Sequence, residues 1–252
     1  MFPKQGVRLH HHARAAGGQV RTDIRADVFD GPTVAVAKRL VGATLYRRIP
    51  EGEPDAGERL SGRIVETEAY LPLVDPSCHG YRGPTPRTVT LFGRPGFAYV
   101  YLIYGMYYCL NVTTEPAGIG AAVLIRALEP LTGIEAMHRR RGRSIPTEAL
   151  ASGPGNLCRA LGIDLRSDGV DLRQSDLMIA PASLPAQAYE TSGRIGLSTA
   201  QAWPLRYFDP HSPSVSPYRR RGARHPKDRP RAADKVGKRT IASVDVARSA
   251  VI

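Results

Sequence analysis

The chain has 252 residues, of which 42% are hydrophobic, enough for one well-packed core but not clearly for two. It contains no run of about 18 apolar residues, and its start lacks an apolar segment followed by a small-residue cleavage site. We therefore expect a soluble, intracellular protein that makes no membrane contact. The three cysteines are widely spaced and form no C-x-x-C pair, which argues against a disulfide framework and against a zinc site.

The formal charge of +12 is concentrated at the two ends of the chain. Residues 1–26 hold five Lys or Arg against one acid, and residues 218–252 hold eleven against three, which leaves residues 27–217 neutral. Both ends are rich in Gly, Pro and Arg and show no apolar period, a composition typical of disordered arms. Such arms either bind polyanions or only aid solubility. The sequence thus predicts a basic arm at 1–26, one domain at 27–217 and a basic tail at 218–252.

The first predicted elements are a helix and a pair of strands. The helix begins near Pro32 and ends at Gly42. The segments Ala43–Arg48 and Ser61–Leu71 both alternate between apolar and polar residues, as half-buried strands do, and a polar turn region separates them.

Two acids stand on the second of these strands. Strict alternation would place Ile64, Glu66, Glu68 and Tyr70 on one face. A carboxylate on a partly buried strand face can activate water, or it can simply pair with an arginine. The residues alone do not choose between Glu66 and Glu68.

Residues 75–96 contain many prolines and glycines around His79, which predicts a long loop of the kind that often builds sites. His79 in such a loop either donates a hydrogen bond to a base or phosphate, or is simply solvated.

An aromatic hairpin is predicted next. Ala98–Ile103 and Met106–Thr113 form the two strands, with Tyr104 and Gly105 at the turn. The tyrosines of these strands form either an ordinary aromatic core or a set of ring faces on which bases can stack. Tyr104, presented at the tip, is suited to wedge into a base stack. Asn111 either contacts a purine edge or satisfies backbone groups.

A central strand is predicted at Ala121–Leu128, where Arg126 interrupts an apolar run and needs a carboxylate partner. The string S-G-P-G-N, which starts with Ser152 and Gly153, opens a helix whose N-terminus can hold a phosphate. The last strands of the sheet are predicted at Arg194–Leu197 and Trp203–Phe208.

These strings together resemble the alkyladenine, or 3-methyladenine, DNA glycosylase family. The resemblance runs from about Val28 to Ser216. It is carried by the ordered strings R-I-V-E-T-E-A-Y, T-P-R-T, P-G-F-A-Y-V-Y-L-I-Y-G-M-Y-Y-C-L-N-V, L-I-R-A-L-E-P and S-G-P-G-N-L-C-R-A-L. It implies an α+β fold, a single mixed domain with a curved antiparallel sheet flanked by short helices.

The resemblance also implies catalytic roles. By residue-to-residue correspondence, Glu68 is the general base that activates water, and Arg126 helps to hold that water near the target sugar. Tyr104 is the wedge that intercalates into DNA, and Glu66 becomes secondary.

The base pocket and the DNA contacts follow in the same way. The resemblance places Tyr70, His79 and Tyr101 around the flipped base, while Asn111 excludes a guanine amino group. For the DNA backbone we expect contacts from Arg87, in the T-P-R-T string, and from Ser152 and Gly153.

The implied activity is that of a monofunctional DNA glycosylase. Such an enzyme flips an alkylated purine out of duplex DNA, hydrolyses its N-glycosidic bond and leaves an abasic site for base excision repair. A lyase would need an amine, and Lys38 is the only lysine in residues 27–217. We expect no cofactor and no metal, action as a monomer on double-stranded DNA, and a cytoplasmic location, with the nucleoid if the source is bacterial. The alternative is a non-catalytic binder of damaged or single-stranded nucleic acid.

Overall fold

The computed structural model describes residues 28–182 and 189–217. The predicted arm at 1–26 and the predicted tail at 218–252 lie outside the described residues. All statements below concern the described part of the chain.

The described residues form three helices and eight strands. The helices are α1 (Thr33–Leu40), α2 (Ile134–Arg141) and α3 (Pro154–Leu161). The strands are β1 (Thr44–Arg48), β2 (Arg59–Tyr70), β3 (Ala98–Ile103), β4 (Tyr107–Thr113), β5 (Ala122–Thr132), β6 (Leu177–Ala180), β7 (Glu190–Ser192) and β8 (Arg206–Phe208). None of these helices is both long and apolar enough to cross a membrane.

The strands form one antiparallel sheet in the order β3-β4-β5-β2-β1-β6, and β8 joins β2 and β7 beside this path. The long strand β2 organises the sheet, because β5 pairs along its length while β1 pairs with its first half and β8 with its second half. The pairing of β2 with β5 shifts register twice near the point where β1 ends and β8 begins. Val65 of β2 is an extra residue between Ile64 and Glu66, and Arg126 of β5 is an extra residue opposite Glu66 and Thr67. Such bulges bend a strand and re-aim its side chains.

The two faces of the sheet have different surroundings. One face packs against apolar residues of α1 and α3 and forms the main core; it includes Ile64 and Ala69 of β2, Leu110 of β4 and Ile125 of β5. Thr67 belongs to this face too, since its hydroxyl donates to the Ala37 carbonyl of α1 at 2.9 Å. The opposite face carries polar and aromatic residues.

One detail of the strand prediction is wrong. Ile64 does not share a face with Glu66, Glu68 and Tyr70 but belongs to the main core on the opposite side. The reason is the bulge at Val65, which shifts the alternation of β2 by one residue.

The predicted fold class is confirmed: a single domain with a curled antiparallel sheet and three short helices. The central position of β5 and the Tyr104–Gly105 hairpin are also as predicted. Of the two last strands predicted, Trp203–Phe208 contains β8, but Arg194–Leu197 is wrong: β7 lies at Glu190–Ser192, and residues 194–197 form no strand. The reason is local, because the backbone N–H of Ile195 donates to a side chain instead of a strand partner.

Candidate active site

Glu68 is fully buried, and its carboxylate is held by three partners. Oε1 accepts a hydrogen bond from the Ile195 N–H at 2.7 Å, and Oε2 accepts one from the Tyr70 hydroxyl at 2.9 Å. The Arg126 Nη1 atom lies 3.3 Å from Oε2. These donors satisfy the hydrogen-bonding capacity of a carboxylate that would otherwise be buried at a high cost in free energy.

Arg126 is shared between the two acids of β2. Its Nε donates to Glu66 Oε1 at 3.1 Å while its Nη1 faces Glu68. Glu66 is itself fully buried and also accepts from Arg206 Nε at 2.6 Å and from the backbone N–H of Ser216 at 2.8 Å. Burial lowers the pKa of Arg126, but the charges of Glu68 and Glu66 outweigh it, so the pKa is raised above its ordinary value. The structure therefore brings Glu68 and Arg126 together, and it provides the carboxylate partner that the sequence required for Arg126.

Aromatic rings stand next to this pair. The rings of His79 and Tyr101 lie 4.5 Å apart between centroids, and Tyr101 lies 5.5 Å from Tyr99. Nδ1 of His79 is 2.9 Å from the Tyr99 hydroxyl. Burial raises the pKa of Tyr99 to about 12, and it raises those of Tyr70 and Tyr101 as well, so these phenols stay protonated at neutral pH.

His79 is held mostly in its neutral form. Burial of the imidazole, together with the positive charge of Arg87, lowers its pKa below the ordinary 6.5. A neutral imidazole offers one donor and one acceptor nitrogen to a ligand or neighbour.

Two adjoining cavities lie among these groups. The smaller one, of about 140 Å³, is lined by His79, Tyr99 and Asn111 among others. The larger one, of about 430 Å³, is lined by Arg126 and Tyr104 among others. Both include Tyr70 and Tyr101 in their walls. The larger volume lies in the range typical of small-molecule sites, about 300–1,000 Å³.

Glu68 lies one hydrogen bond behind the wall of the larger cavity. It has no exposed surface and lines neither cavity, but its partners Tyr70, Arg126 and Ile195 all line the larger one. A water molecule or a substrate atom in this cavity can therefore reach Glu68 only past one of these three groups.

Asn111 lines the smaller cavity and is nearly fully buried. Its side-chain Nδ2 donates to the backbone carbonyl of Tyr99 at 3.1 Å. This bond satisfies a backbone group, one of the two roles considered from the sequence, and it fixes the amide in place at the cavity wall.

Tyr104 stands at the tip of the β3–β4 hairpin with 78% of its surface exposed. Tyr104 and Gly105 both have positive φ, 54° and 69°, and the Met106 N–H donates to the Ile103 carbonyl at 3.2 Å. This is a type I′ turn, which matches the twist of the flanking strands but strains a non-glycine residue. A large ring is thus presented to solvent on a well-defined turn at the edge of the larger cavity.

The three residues predicted at the DNA backbone have different surroundings. Arg87 is exposed, and its Nη2 donates to the Leu102 carbonyl at 2.8 Å. Gly153 precedes α3 and lines the larger cavity, whereas Ser152 is bridged to Ala127 of β5 and is absent from the cavity lining.

The ion pair that supports the ring of Tyr70 was not predicted from the sequence. Arg194 stacks on Tyr70, with its Cζ 4.6 Å from the ring centroid, and forms an ion pair with Asp75. The sequence offered only one signal for it, a charged residue placed in a segment that was predicted to be a strand.

The arrangement can bind a flat ring between aromatic walls, next to a buried carboxylate and an arginine. Among the described residues, no group of three or more His, Cys, Asp or Glu is placed to hold a metal ion.

Comparison with known proteins decides the family. The family model for methylpurine-DNA glycosylase (MPG) matches residues 27–213. The chain belongs to the methylpurine-DNA glycosylase family. It is 49% identical over 170 residues to a putative 3-methyladenine DNA glycosylase of Rubrobacter xylanophilus. The matched residues make up 67% of this chain and 84% of the Rubrobacter protein.

Two further relatives of this methylpurine-DNA glycosylase agree. A putative 3-methyladenine DNA glycosylase of Methanocella arvoryzae is 44% identical over 193 residues, 75% of this chain and 94% of that one. The mouse protein named DNA-3-methyladenine glycosylase is 45% identical over 207 residues, 75% of this chain and 60% of the mouse protein. The family resemblance found in the sequence is confirmed, as is the prediction of an enzyme, a DNA glycosylase with DNA as its substrate. The alternative of a non-catalytic binder is set aside, because the family is one of enzymes.

Proposed function

We propose that this methylpurine-DNA glycosylase is monofunctional: it rotates an alkylated purine out of duplex DNA and hydrolyses the N-glycosidic bond with a water activated by Glu68. The product is an abasic site, the substrate of base excision repair. The observation that carries this proposal is the buried Glu68–Arg126 pair directly behind a cavity walled by Tyr70 and Tyr101.

Base capture follows from the position of the rings. A glycosidic bond is hidden in stacked DNA, and extruding a nucleotide costs a few kcal/mol, least at a damaged pair. Tyr104, exposed at its turn, is suited to fill the gap that the extruded base leaves. Tyr70 would then stack on one side of the base and Tyr101, with His79, on the other. Phenol faces also attract the positive charge of an alkylated purine.

Water must reach Glu68 past one of its three partners. The contact to Arg126, at 3.3 Å, is the longest of the three, and Arg126 keeps its bond to Glu66 if this contact opens. We place the attacking water between Arg126 and Glu68, in contact with the larger cavity.

The chemical step consists of one proton transfer, one bond formed and one bond broken. Glu68 takes a proton from the water, whose oxygen bonds to C1′ of the sugar, while the bond from C1′ to the base nitrogen breaks. Its electron pair leaves with the base and neutralises the charge of an alkylated purine. The negative charge of Glu68 also stabilises the positive charge that develops on the sugar.

A lyase step is not supported by the one lysine of the domain. Lys38 lies on α1, on the far side of the sheet, where its amine is 5.9 Å and 5.5 Å from the ring centroids of Tyr189 and Tyr207. It lines neither cavity, so it is not placed to form a Schiff base with the sugar.

The test uses duplexes that carry one defined lesion each: 3-methyladenine, 7-methylguanine, hypoxanthine or etheno-adenine. We expect release of a free base from the alkylated purines, strand breaks only after alkali treatment, and full activity in excess chelator. Strand cleavage without alkali would show a lyase, loss of activity in chelator would show a required metal, and binding without base release would contradict the proposal.

A further inference from the structure

Arg194 is a buried charged residue with no part in the chemistry proposed above. Its side chain has no exposed surface, and neither does that of its partner Asp75. Arg194 donates from both terminal nitrogens to the two Asp75 oxygens, with Nη2 2.8 Å from Oδ1. Its guanidinium also lies over the ring of Tyr70, with Cζ 4.6 Å from the ring centroid.

The contacts of Arg194 converge on the parts of the site. Nη1 donates to the carbonyl of Ala69 at 3.0 Å, and Ala69 stands between Glu68 and Tyr70 on β2. The next residue, Ile195, donates its N–H to the Glu68 carboxylate at 2.7 Å. One short segment therefore supports both the proposed base and the ring beside it.

Asp75 connects this support to the loop that carries His79. Its Oδ2 accepts from the Leu71 N–H at 3.3 Å, at the end of β2, and its Oδ1 accepts from the Ser77 N–H at 3.0 Å. Tyr70 and His79 belong to opposite walls of the proposed base slot. The ion pair of Asp75 with Arg194 thus joins the supports of both walls.

Stability alone is a poor explanation for this arrangement. Burying an ion pair adds little net stability, because the desolvation of both charges offsets their attraction. In addition, the Arg194 Nε is buried and has no hydrogen-bond partner among the residues that the structure describes, although buried polar atoms are almost always paired. A planar cation that stacks on Tyr70 and bridges to Asp75 accounts for both features.

We infer that Arg194 is a positioning residue for the extruded base: through Tyr70 and Asp75 it sets the separation of the two aromatic walls. This inference rests on the proposed function, since it assigns Arg194 to the same slot. It adds a residue that touches neither the substrate nor the water.

The test compares Arg194→Lys with a matched control, Asp209→Asn, in the full-length protein. Lys keeps the charge and the aliphatic stem but loses the flat stack and the paired donation to Asp75. Asp209 is likewise buried and pairs at 2.8 Å with Arg63, which comes from β2, but it lines neither cavity. Melting temperatures report the folded state of each variant.

The readout is single-turnover release of 7-methylguanine over a range of enzyme concentrations, which separates the maximal rate from half-saturation. For Arg194→Lys we expect at least a tenfold lower maximal rate and half-saturation within twofold of the wild type. Asp209→Asn should keep both values within twofold. The inference is overturned if Arg194→Lys retains the wild-type maximal rate, or if both variants lose rate equally.

A second variant covers the case in which Arg194→Lys does not fold. The double substitution Asp75→Asn with Arg194→Gln removes both charges and leaves an amide at each position, and we expect the same loss of maximal rate at an unchanged half-saturation. A wild-type rate in this variant would overturn the inference. Failure of the proposed function is distinguishable, because the wild-type enzyme itself would then leave no alkali-sensitive site.

Discussion

At the scale of single residues, the central feature is the carboxylate of Glu68, which is buried and separated from solvent by its own hydrogen-bond donors. The Tyr70 hydroxyl is one of these donors, at 2.9 Å from Glu68 Oε2, while the ring of Tyr70 lines both cavities. The hydrogen bond from the Tyr70 hydroxyl and the stacking surface of its ring can therefore be tested separately by substitution.

Replacing Tyr70 with Phe keeps the ring and removes the hydrogen bond to Glu68. A hydrogen bond to a charged group contributes roughly 1.5–3 kcal/mol, and about 1.4 kcal/mol corresponds to a factor of ten. We expect a maximal single-turnover rate about tenfold lower. Tyr70→Ala should lose a further factor of about ten, because stacking on a base is worth roughly 1–3 kcal/mol. Equal rates in the Phe and Ala variants would contradict a stacking role for the ring.

His79 predicts a specific loss of stability in acid. Its pKa in the folded protein is below 6.5, first because the imidazole is buried and second because Arg87 is positively charged. Above pH 6.5 the imidazole is neutral in both folded and unfolded chains. As the pH falls below 6.5, the unfolded chain takes up the proton first, so stability decreases until the pH has passed the pKa of the folded state.

The measurement is the melting temperature of the wild type and of His79→Gln between about pH 8 and pH 5. We expect the wild type to lose more stability than the variant below pH 6.5, and the two curves to run parallel above it. Parallel curves over the whole range would show that His79 is not held in its neutral form.

The sequence predicted some of these contacts and not others, for local reasons. A charge inside the apolar run of β5 required a carboxylate, so the partner of Arg126 could be predicted. The Arg194–Asp75 pair could not, because the two residues are 119 positions apart and nothing in the sequence of either segment points to the other. The roles given to the site residues by family resemblance stay predictions.

At the scale of elements, the β3–β4 hairpin and the bulged strand β2 define the site. The hairpin was predictable, because a Tyr-Gly pair between alternating segments is a local signal. The bulge at Val65 was not, because it depends on the sheet partners of β2. One of these partners is β8, about 140 positions away, which pairs Phe208 with Glu66 and donates to the Glu66 carboxylate from the Arg206 side chain. Without the bulge, Ile64 would be expected on the site face.

The strained turn predicts a separation of stability from function at Tyr104. Asn adopts positive φ more readily than Tyr, so Tyr104→Asn should relieve strain of about 1 kcal/mol. We expect an unfolding free energy that is unchanged or higher by up to about 1 kcal/mol in chemical denaturation. The maximal rate of base release should nevertheless fall at least tenfold, since the wedge is lost. A wild-type rate in this variant would contradict the intercalating role.

At the scale of the whole molecule, the net positive charge lies at the two ends of the chain, outside the domain that carries the proposed catalytic residues. Residues 27–217 are formally neutral, whereas residues 218–252 hold eleven Lys or Arg against three acids. A neutral domain gains little from attraction to phosphate, so we expect the basic ends to supply nonspecific DNA affinity.

Truncation before Tyr218 tests this division of roles. The truncated enzyme should bind undamaged duplex more weakly and with a shallower dependence on salt, because fewer counterions are released. Its single-turnover rate at saturating enzyme should stay within twofold of the wild type. An unchanged salt slope would exclude the tail from DNA binding.

The most direct test of the account is the single-turnover release of 7-methylguanine from duplex DNA by Glu68→Gln. Gln keeps the shape of the side chain and can still accept from Tyr70 or Ile195, but it cannot take a proton from water. We predict that lesion-containing DNA is bound at least as tightly as by the wild type while base release falls by a factor of 100 or more, within the 10²–10⁴ range of general-base catalysis. Base release at the wild-type rate by a folded Glu68→Gln enzyme would contradict the account.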